Sequence, residues 1–257
     1  MSLWDRILEP DGLTTVFQPI FRVTGGAGGI GGERIPFALE ALTRGPSGTN
    51  IERSDVLFEY VRRKRRESEV DLLSIAAALR EAATLPELPA LSLNVHAATL
   101  EREPRLASRL AELAAAHGIP LDRIIIEIVE HAPPWSGPQL LTGLGELRDL
   151  GVRIALDDVG LGQSNFRMIL DCRPDLLKID RHFVAGAHAD PHRRAVLESV
   201  ADLAVRLGGE AVAEGIEDER DFAAVTEIGI ALVQGYLLCY PRSSRSLRER
   251  GFLQPAA

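Results

Sequence analysis

Cysteine is nearly absent from this chain of 257 residues: there are two, Cys172 and Cys239, far apart. Their separation fits no zinc-ligand spacing and no disulfide framework, so a reducing compartment is expected. No apolar run approaches the roughly 20 residues that cross a bilayer. The first residues, M-S-L-W-D-R-I-L-E-P-D-G, have no basic region leading into an apolar stretch of signal-peptide length. Together these absences predict a soluble cytoplasmic protein with no membrane partner. An excess of positive charge is missing too. Lys and Arg number 29 against 37 Asp and Glu, a net charge of −8, which argues against a general binder of nucleic-acid polymers. An anionic substrate then requires metal ions and a few local cations to reverse the potential at its site.

What is present is an ordinary globular composition, 46% hydrophobic and 26% charged. The length suits a (β/α)₈ barrel, which typically takes about 250 residues. The stretch R-I-A-L-D-D-V-G-L-G, residues 153–162, starts as a short apolar run and ends in two aspartates and a glycine-bearing turn. A buried parallel strand ends this way when it delivers carboxylates to a site at its C-terminal edge. Alternation along a strand predicts that Asp157 points into the strand layer and Asp158 to the other side. Adjacent ionised carboxylates repel, and a divalent cation offsets that repulsion.

The same pattern recurs along the chain. Residues 13–20 read as a strand closed by Pro19, and 37–43 as a strand carrying Glu40 in its middle. Between them, residues 24–33 form a glycine-rich tract. Its formal G-x-G-x-x-G match, Gly26 to Gly31, is rejected as a dinucleotide site, because a proline and a strand follow where a helix is required. A flexible hairpin loop is the expectation. Residues 52–83 read as mostly helical; their basic run, 62–66, is flanked by acids and read as a solvated face or inter-helix turn. Strands and helices then alternate. Strands are expected at 91–95, 124–129, 176–179, 211–213 and 231–233. Helices are expected at 105–117, 138–150, 166–171, 191–207 and 218–228. His182, His188 and His192 are spaced too loosely for ligands and read as a solvated turn.

Nearly every strand carries a polar residue near its C-terminal end, as barrel sites are assembled, so residues 1–257 are expected to form a single α/β barrel domain. The set is Glu40, Asn94, Glu127, Asp157, Asp158, Lys178, Glu214, Glu217 and Gln234. Oxygen ligands without histidine or cysteine select Mg²⁺ or Mn²⁺. So many carboxylates suit two ions rather than one, an arrangement used to hydrolyse phosphate esters, with Asp157 as bridging ligand. Lys178 is a candidate to hold the attacking water, and Arg44 to clamp a phosphate oxygen.

Read in order, these motifs resemble the EAL family, the cyclic-di-GMP phosphodiesterases of bacterial second-messenger signalling. The matches are Q-P-I at Gln18, Glu40-Ala41-Leu42 with Thr43 and Arg44, L-S-L-N at Asn94 and E-I-V-E at Glu127 to Glu130. They continue with D-D-V-G at Asp157 to Gly160, L-K-I-D-R at Lys178, A-E-G-I-E at Glu214 to Glu217 and Q-G-Y at Gln234. The resemblance implies a (β/α)₈ barrel whose first strand runs against the others. It places metal ligands on Glu40, Asn94, Glu127, Asp157, Asp158 and Glu214, and catalytic roles on Glu214, Lys178 and Asp157. It gives substrate contacts to Gln18, Leu42, Arg44 and Gln234, and supporting roles to Glu130 and Glu217. The implied reaction is metal-dependent hydrolysis of one phosphodiester of cyclic-di-GMP to linear pGpG, with a homodimer as the implied assembly. The chain departs from the family pattern at Val159, Leu161 and Gln163, where phenylalanine, threonine and tyrosine are usual. It departs also at Val129, at His96, where serine is usual, and at Gly45. Those departures leave a second reading: a weakly active or inactive module that binds the dinucleotide or a protein partner.

Overall fold

The computed structural model describes residues 2–25, 32–129, 137–160 and 166–251. Eight strands close into one barrel in sequence order. They are β1 (Thr14–Thr24), β2 (Glu33–Arg44), β3 (Ala90–His96), β4 (Ile124–Val129), β5 (Arg153–Leu156), β6 (Leu176–Ile179), β7 (Glu210–Ala213) and β8 (Leu232–Val233). Strand β1 is antiparallel to both neighbours, β2 and β8, and every other pairing is parallel. The parallel strands need crossovers long enough for a helix, whereas the β1–β2 hairpin does not.

The first strand runs past the expected stop at Pro19 and on to Thr24. Strand β8 is only two residues long and pairs with Phe21 and Arg22. Further down β1, Phe17 exchanges both backbone hydrogen bonds with Arg242, at 2.7 and 2.8 Å. Pro19 lies between these two pairings on the same edge as Phe17 and Val23, so its nitrogen faces the gap between Arg242 and β8. Its missing N–H therefore costs no ladder bond, and the strand continues.

The helices are α1 (Leu3–Ile7), α2 (Ser54–Arg63), α3 (Glu67–Ala82), α4 (Ala97–Arg102), α5 (Leu106–Ala116), α6 (Pro138–Asp149), α7 (Phe166–Cys172), α8 (Arg181–Val184), α9 (Pro191–Arg206), α10 (Glu219–Glu227) and α11 (Ser244–Arg250). Local signals fix several ends. Pro191 opens α9 behind an Asp190 cap that accepts from two backbone N–H groups, and Asp218 caps α10. The basic run separates α2 from α3 and is neutralised locally. Arg62 and Arg63 pair with Glu59, Arg66 pairs with Glu69 and lies over the Trp4 ring, and Lys64 lies over Tyr60. His188 lies in an exposed turn, as expected, and its ring bonds the buried Asp221.

Inside the barrel, every strand contributes one residue to an apolar plug: Ile20, Ala38, Ala90, Ile125, Ala155, Leu176, Val212 and Leu232. All eight are buried. Small residues on β2, β3 and β5 make room for branched ones on the facing strands, so the plug is packed and not a pore. The outer faces of the strands pack against the helices in a larger apolar shell.

Two glycines give the packing a test. A Cβ on Gly235, just past β8, would lie 2.1 Å from the Ile216 carbonyl oxygen, whereas one on Gly145 in α6 meets nothing within 4 Å. Gly235→Ala is expected to destabilise the fold by about 3 kcal/mol, because backbone cannot step aside. Gly145→Ala should stabilise it by about 0.5–1 kcal/mol through helix propensity. Urea unfolding of the two variants measures both; a neutral Gly235→Ala would contradict this packing.

Candidate active site

Side chains alternate along a strand, so the residue two positions beyond each plug residue faces the same interior. Two steps toward the C-terminal mouth, the plug becomes a polar ring: Glu40, Ser92, Glu127, Asp157, Lys178, Glu214 and Gln234. Gln18 completes it from the antiparallel β1, two residues before Ile20 and in register with Glu40. Glu40, Ser92, Glu127, Lys178, Gln18 and Gln234 are all buried.

Lys178 stands at the centre of this ring. Its Nζ lies 2.6 Å from Glu214 Oε1, 3.4 Å from Asp157 Oδ1 and 3.6 Å from Glu40 Oε2, and it donates to Glu127 Oε1. Neutral donors hold the carboxylates around it. Ser92 Oγ donates to Glu127 Oε2 at 2.9 Å, Gln234 Nε2 to Glu40 Oε2 at 2.8 Å, and Asn94 Nδ2 to Glu40 Oε1 at 3.3 Å.

The charges do not balance. One ammonium faces four carboxylates, and Asp158 adds a fifth at the rim. Burial and then the Asp157 charge push Asp158 up to about 6. Burial pushes Glu214 up to about 8, with Asp157 adding to the rise and Lys178 opposing it. Burial and the Glu40 charge raise Glu127 well above the carboxylate range. Burial acts against Glu40 as well, but Lys178, Gln234 and Asn94 together hold it below its usual value. Burial would lower Lys178, yet the surrounding carboxylates raise it well above an ordinary lysine. Without another cation, the ring therefore retains protons near neutral pH.

Asp158 departs from the expected alternation. Its φ of 51° places it in the left-handed region, which few non-glycine residues occupy. This turn brings its carboxylate to the same side as Asp157. Ligand oxygens of Asp157, Asp158 and Glu214 all lie within 4.8 Å of one another. The donor set is oxygen only, clustered and over-supplied with negative charge, which fits hard divalent cations. Five carboxylates and one ammonium leave four negative charges, the number two such ions would cancel.

The other predicted residues fall around this centre. Leu42 lines a cleft of about 300 Å³ with Glu40, Asn94, Asp157, His96, Phe58 and Arg62. Arg44 is half-buried and donates to Ser54 Oγ at 2.7 Å and the Thr43 carbonyl at 3.1 Å. Gln18 Nε2 donates to the Cys239 carbonyl at 3.2 Å. Glu217 is exposed and accepts from Arg181 at 2.7 Å, away from Lys178. A Cβ on Gly215 would meet Arg181 Cβ at 2.4 Å, so glycine there lets Arg181 cross the turn to Glu217. Val159 is buried and its N–H donates to the Lys178 carbonyl at 3.0 Å. Glu130, Leu161 and Gln163 lie outside the described residues. Sequence reasoning missed Ser92, although it stands two residues before Asn94 on the same face of β3. It also missed Asp71, an acid in the apolar face of α3 that bonds His96.

A model of the EAL domain matches residues 4–241. The chain belongs to the EAL domain family. Over 165 residues it is 32% identical to RocR, a cyclic di-GMP phosphodiesterase of Pseudomonas aeruginosa, covering 64% of this chain and 42% of that protein. Over 206 residues it is 27% identical to PdeA, a probable cyclic di-GMP phosphodiesterase of Escherichia coli, covering 79% and 28%. The chain thus spans less than half the length of these curated relatives. Among solved structures, the calcium and cyclic-di-GMP complex of Klebsiella pneumoniae BlrP1 superposes with a TM-score of 0.79 at 27% identity, covering 91% of this chain and 57% of that one. A standalone EAL protein of Vibrio cholerae in its cyclic-di-GMP-bound form gives 0.77 at 25%, covering 90% and 93%. Among the described residues no helix is long and apolar enough to cross a membrane.

A pH test follows from the raised carboxylates. A carboxyl whose pKa rises from 4.5 unfolded to about 8 folded holds a proton that the unfolded chain has released. Stability then falls as pH rises through that window. In chelator, the melting temperature should drop between about pH 5 and pH 8, and Glu214→Gln should flatten the drop. Manganese at pH 8 should restore the lost stability. A metal-free melting temperature that rises across the window would contradict the charge assignment.

Proposed function

We propose that this EAL domain hydrolyses one phosphodiester of cyclic-di-GMP to give linear pGpG, with a pair of Mg²⁺ or Mn²⁺ ions held by Glu40, Asn94, Glu127, Asp157, Asp158 and Glu214. The observation that carries the reading is the polar ring itself: an oxygen-donor set around Lys178, in a family whose relatives are named for this reaction. The bound ions supply charge neutralisation at the phosphoryl group and lower the pKa of the attacking water. The protein's part is placement. Asp157, beside Asp158 and Glu214, would hold the ions with them and is the candidate bridging ligand. Lys178, fixed by burial, is the cation of the ring and would help hold the attacking water. Gln234 and Asn94 fix both oxygens of Glu40, and Ser92 fixes Glu127, so the ligands need no reorganisation before reaction.

On the substrate side, the cleft beside Leu42 is the space open to a base or ribose. Arg44, bonded to Thr43 and Ser54 of the cleft wall, is the candidate phosphate contact. Glu217, turned to Arg181, supports the turn that carries Glu214. The proposal includes a cytoplasmic location, which a second-messenger substrate would require, and homodimerisation by family likeness.

The test is incubation of purified protein with cyclic-di-GMP in Mg²⁺ or Mn²⁺, with chromatography of the product. Linear dinucleotide is expected, and Asp157→Asn or Glu214→Gln should lower kcat about 100-fold or more with the fold retained by circular dichroism. Tight binding with no product in either metal would favour the non-catalytic module, the reading that the unusual Val159 turn supports. Absence of both binding and turnover would end the enzyme reading and the dinucleotide-binding one, leaving only a module for a protein partner.

A further inference from the structure

One histidine at the mouth has one ring edge tied down and the other left open. His96 ends β3, and its Nδ1 lies 2.8 Å from Asp71 Oδ1. Its backbone N–H donates to Asp71 Oδ2 at 2.9 Å, and Thr99 Oγ1 donates to the same oxygen at 2.5 Å. Asp71 is 1% exposed, so these three donors satisfy a fully buried carboxylate. A carboxylate only accepts, which assigns the Nδ1 proton to this bond and leaves Nε2 as the second polar atom of the ring. Phe58 packs on the ring with centroids 5.2 Å apart and restricts its rotation.

His96 is itself nine-tenths buried, and what it exposes lines the cleft with Leu42, Asn94, Asp157 and Arg62. Nε2 has no hydrogen-bond partner among the described residues. Nε2 keeps its solvent access at the cleft and is open there to a hydrogen-bonding ligand. Neither the plug nor the ion-holding ring requires a histidine here, and the family usually has serine, whose hydroxyl is too short to span from Asp71 to the cleft. Asp71 and Thr99, by contrast, form a buried support whose evident effect is to aim this ring.

We propose that His96 is a substrate-positioning and specificity residue, whose Nε2 hydrogen-bonds the cyclic dinucleotide in the cleft while Asp71 and Thr99 hold the ring in place. This inference rests on the proposed activity and adds a contact to it that belongs to this chain's own sequence.

Two substitutions separate the two ring edges. His96→Asn keeps a polar atom near the Nδ1 position, facing Asp71, and removes the one at the cleft. His96→Gln carries its amide to where Nε2 lies. Calorimetry with cyclic-di-GMP in calcium, the ion of the Klebsiella complex, measures Kd; steady-state assays in Mn²⁺ measure KM and kcat. His96→Asn is expected to raise Kd and KM about three- to tenfold, the loss of one neutral hydrogen bond, with kcat and melting temperature nearly unchanged. His96→Gln should bind within about twofold of the unsubstituted protein, because it replaces that one contact. Equal affinity of the Asn variant and the unsubstituted protein overturns the inference, and so does an equal loss in Asn and Gln, which marks a purely structural histidine. If the unsubstituted protein neither binds nor cleaves the dinucleotide, the proposed function itself falls. If it does both while His96→Asn matches it, only the role of His96 falls.

Discussion

A single buried ammonium among four carboxylates is the constraint on which the rest of this structure depends. Lys178 is 2% exposed and touches Glu40, Glu127, Asp157 and Glu214, each from a different strand. Burying one charge pair is already expensive, and burying a surplus of one sign is more so. The barrel tolerates the surplus in two ways. Ser92 and Asn94 donate to carboxylate oxygens that Lys178 does not take, Gln234 donates to the Glu40 oxygen that Lys178 faces, and the excess charge appears as protons retained by Glu214 and Asp158. An arrangement selected for stability alone would replace such a ring with apolar side chains of similar volume. Its presence beside a close-packed plug is what makes it the candidate site.

The plug and the ring are two consequences of one periodicity. Each strand presents an apolar residue and then, two positions on, a polar one, so the same backbone that fills the barrel floor aims polar side chains at the mouth. Strand β1 obeys this rule in reverse, because it is antiparallel: Gln18 precedes Ile20 where Glu40 follows Ala38. Rigidity of the floor is therefore rigidity of the polar ring. The exception is Asp158, which reaches the site only through a left-handed turn, at a backbone cost of the order of 1 kcal/mol or more.

Much of this was legible from residues alone. The strands 124–129 and 176–179 lie where apolar runs interrupted by Glu127 and Lys178 predict them. The charged interruptions form the candidate site, because a charge inside a buried strand needs a partner. What stayed hidden had physical reasons. Pro19 reads as a stop, yet it lies where its neighbouring strand is too short to need its N–H. Asp158 follows no alternation because its φ is positive. The short helices α1, α4, α8 and α11 have too few turns for an apolar period to show. Ser92 is small and neutral, and only its register beside Glu40 reveals that it faces inward. His96 reads as a family departure until Asp71, 25 residues earlier in the chain, is seen beneath it.

The family likeness and the charge arithmetic lead to the same place from different directions, and the arithmetic is the more exposed to refutation. The most direct measurement is an anomalous difference map from a crystal grown with manganese and collected near its absorption edge. The account predicts density at the mouth within about 2.0–2.3 Å of oxygens from Asp157, Asp158 and Glu214, with the Glu214 carboxylate drawn away from the Lys178 ammonium. A map from saturating manganese that shows no peak at the ring, with Lys178 still in contact with all four carboxylates, would contradict it.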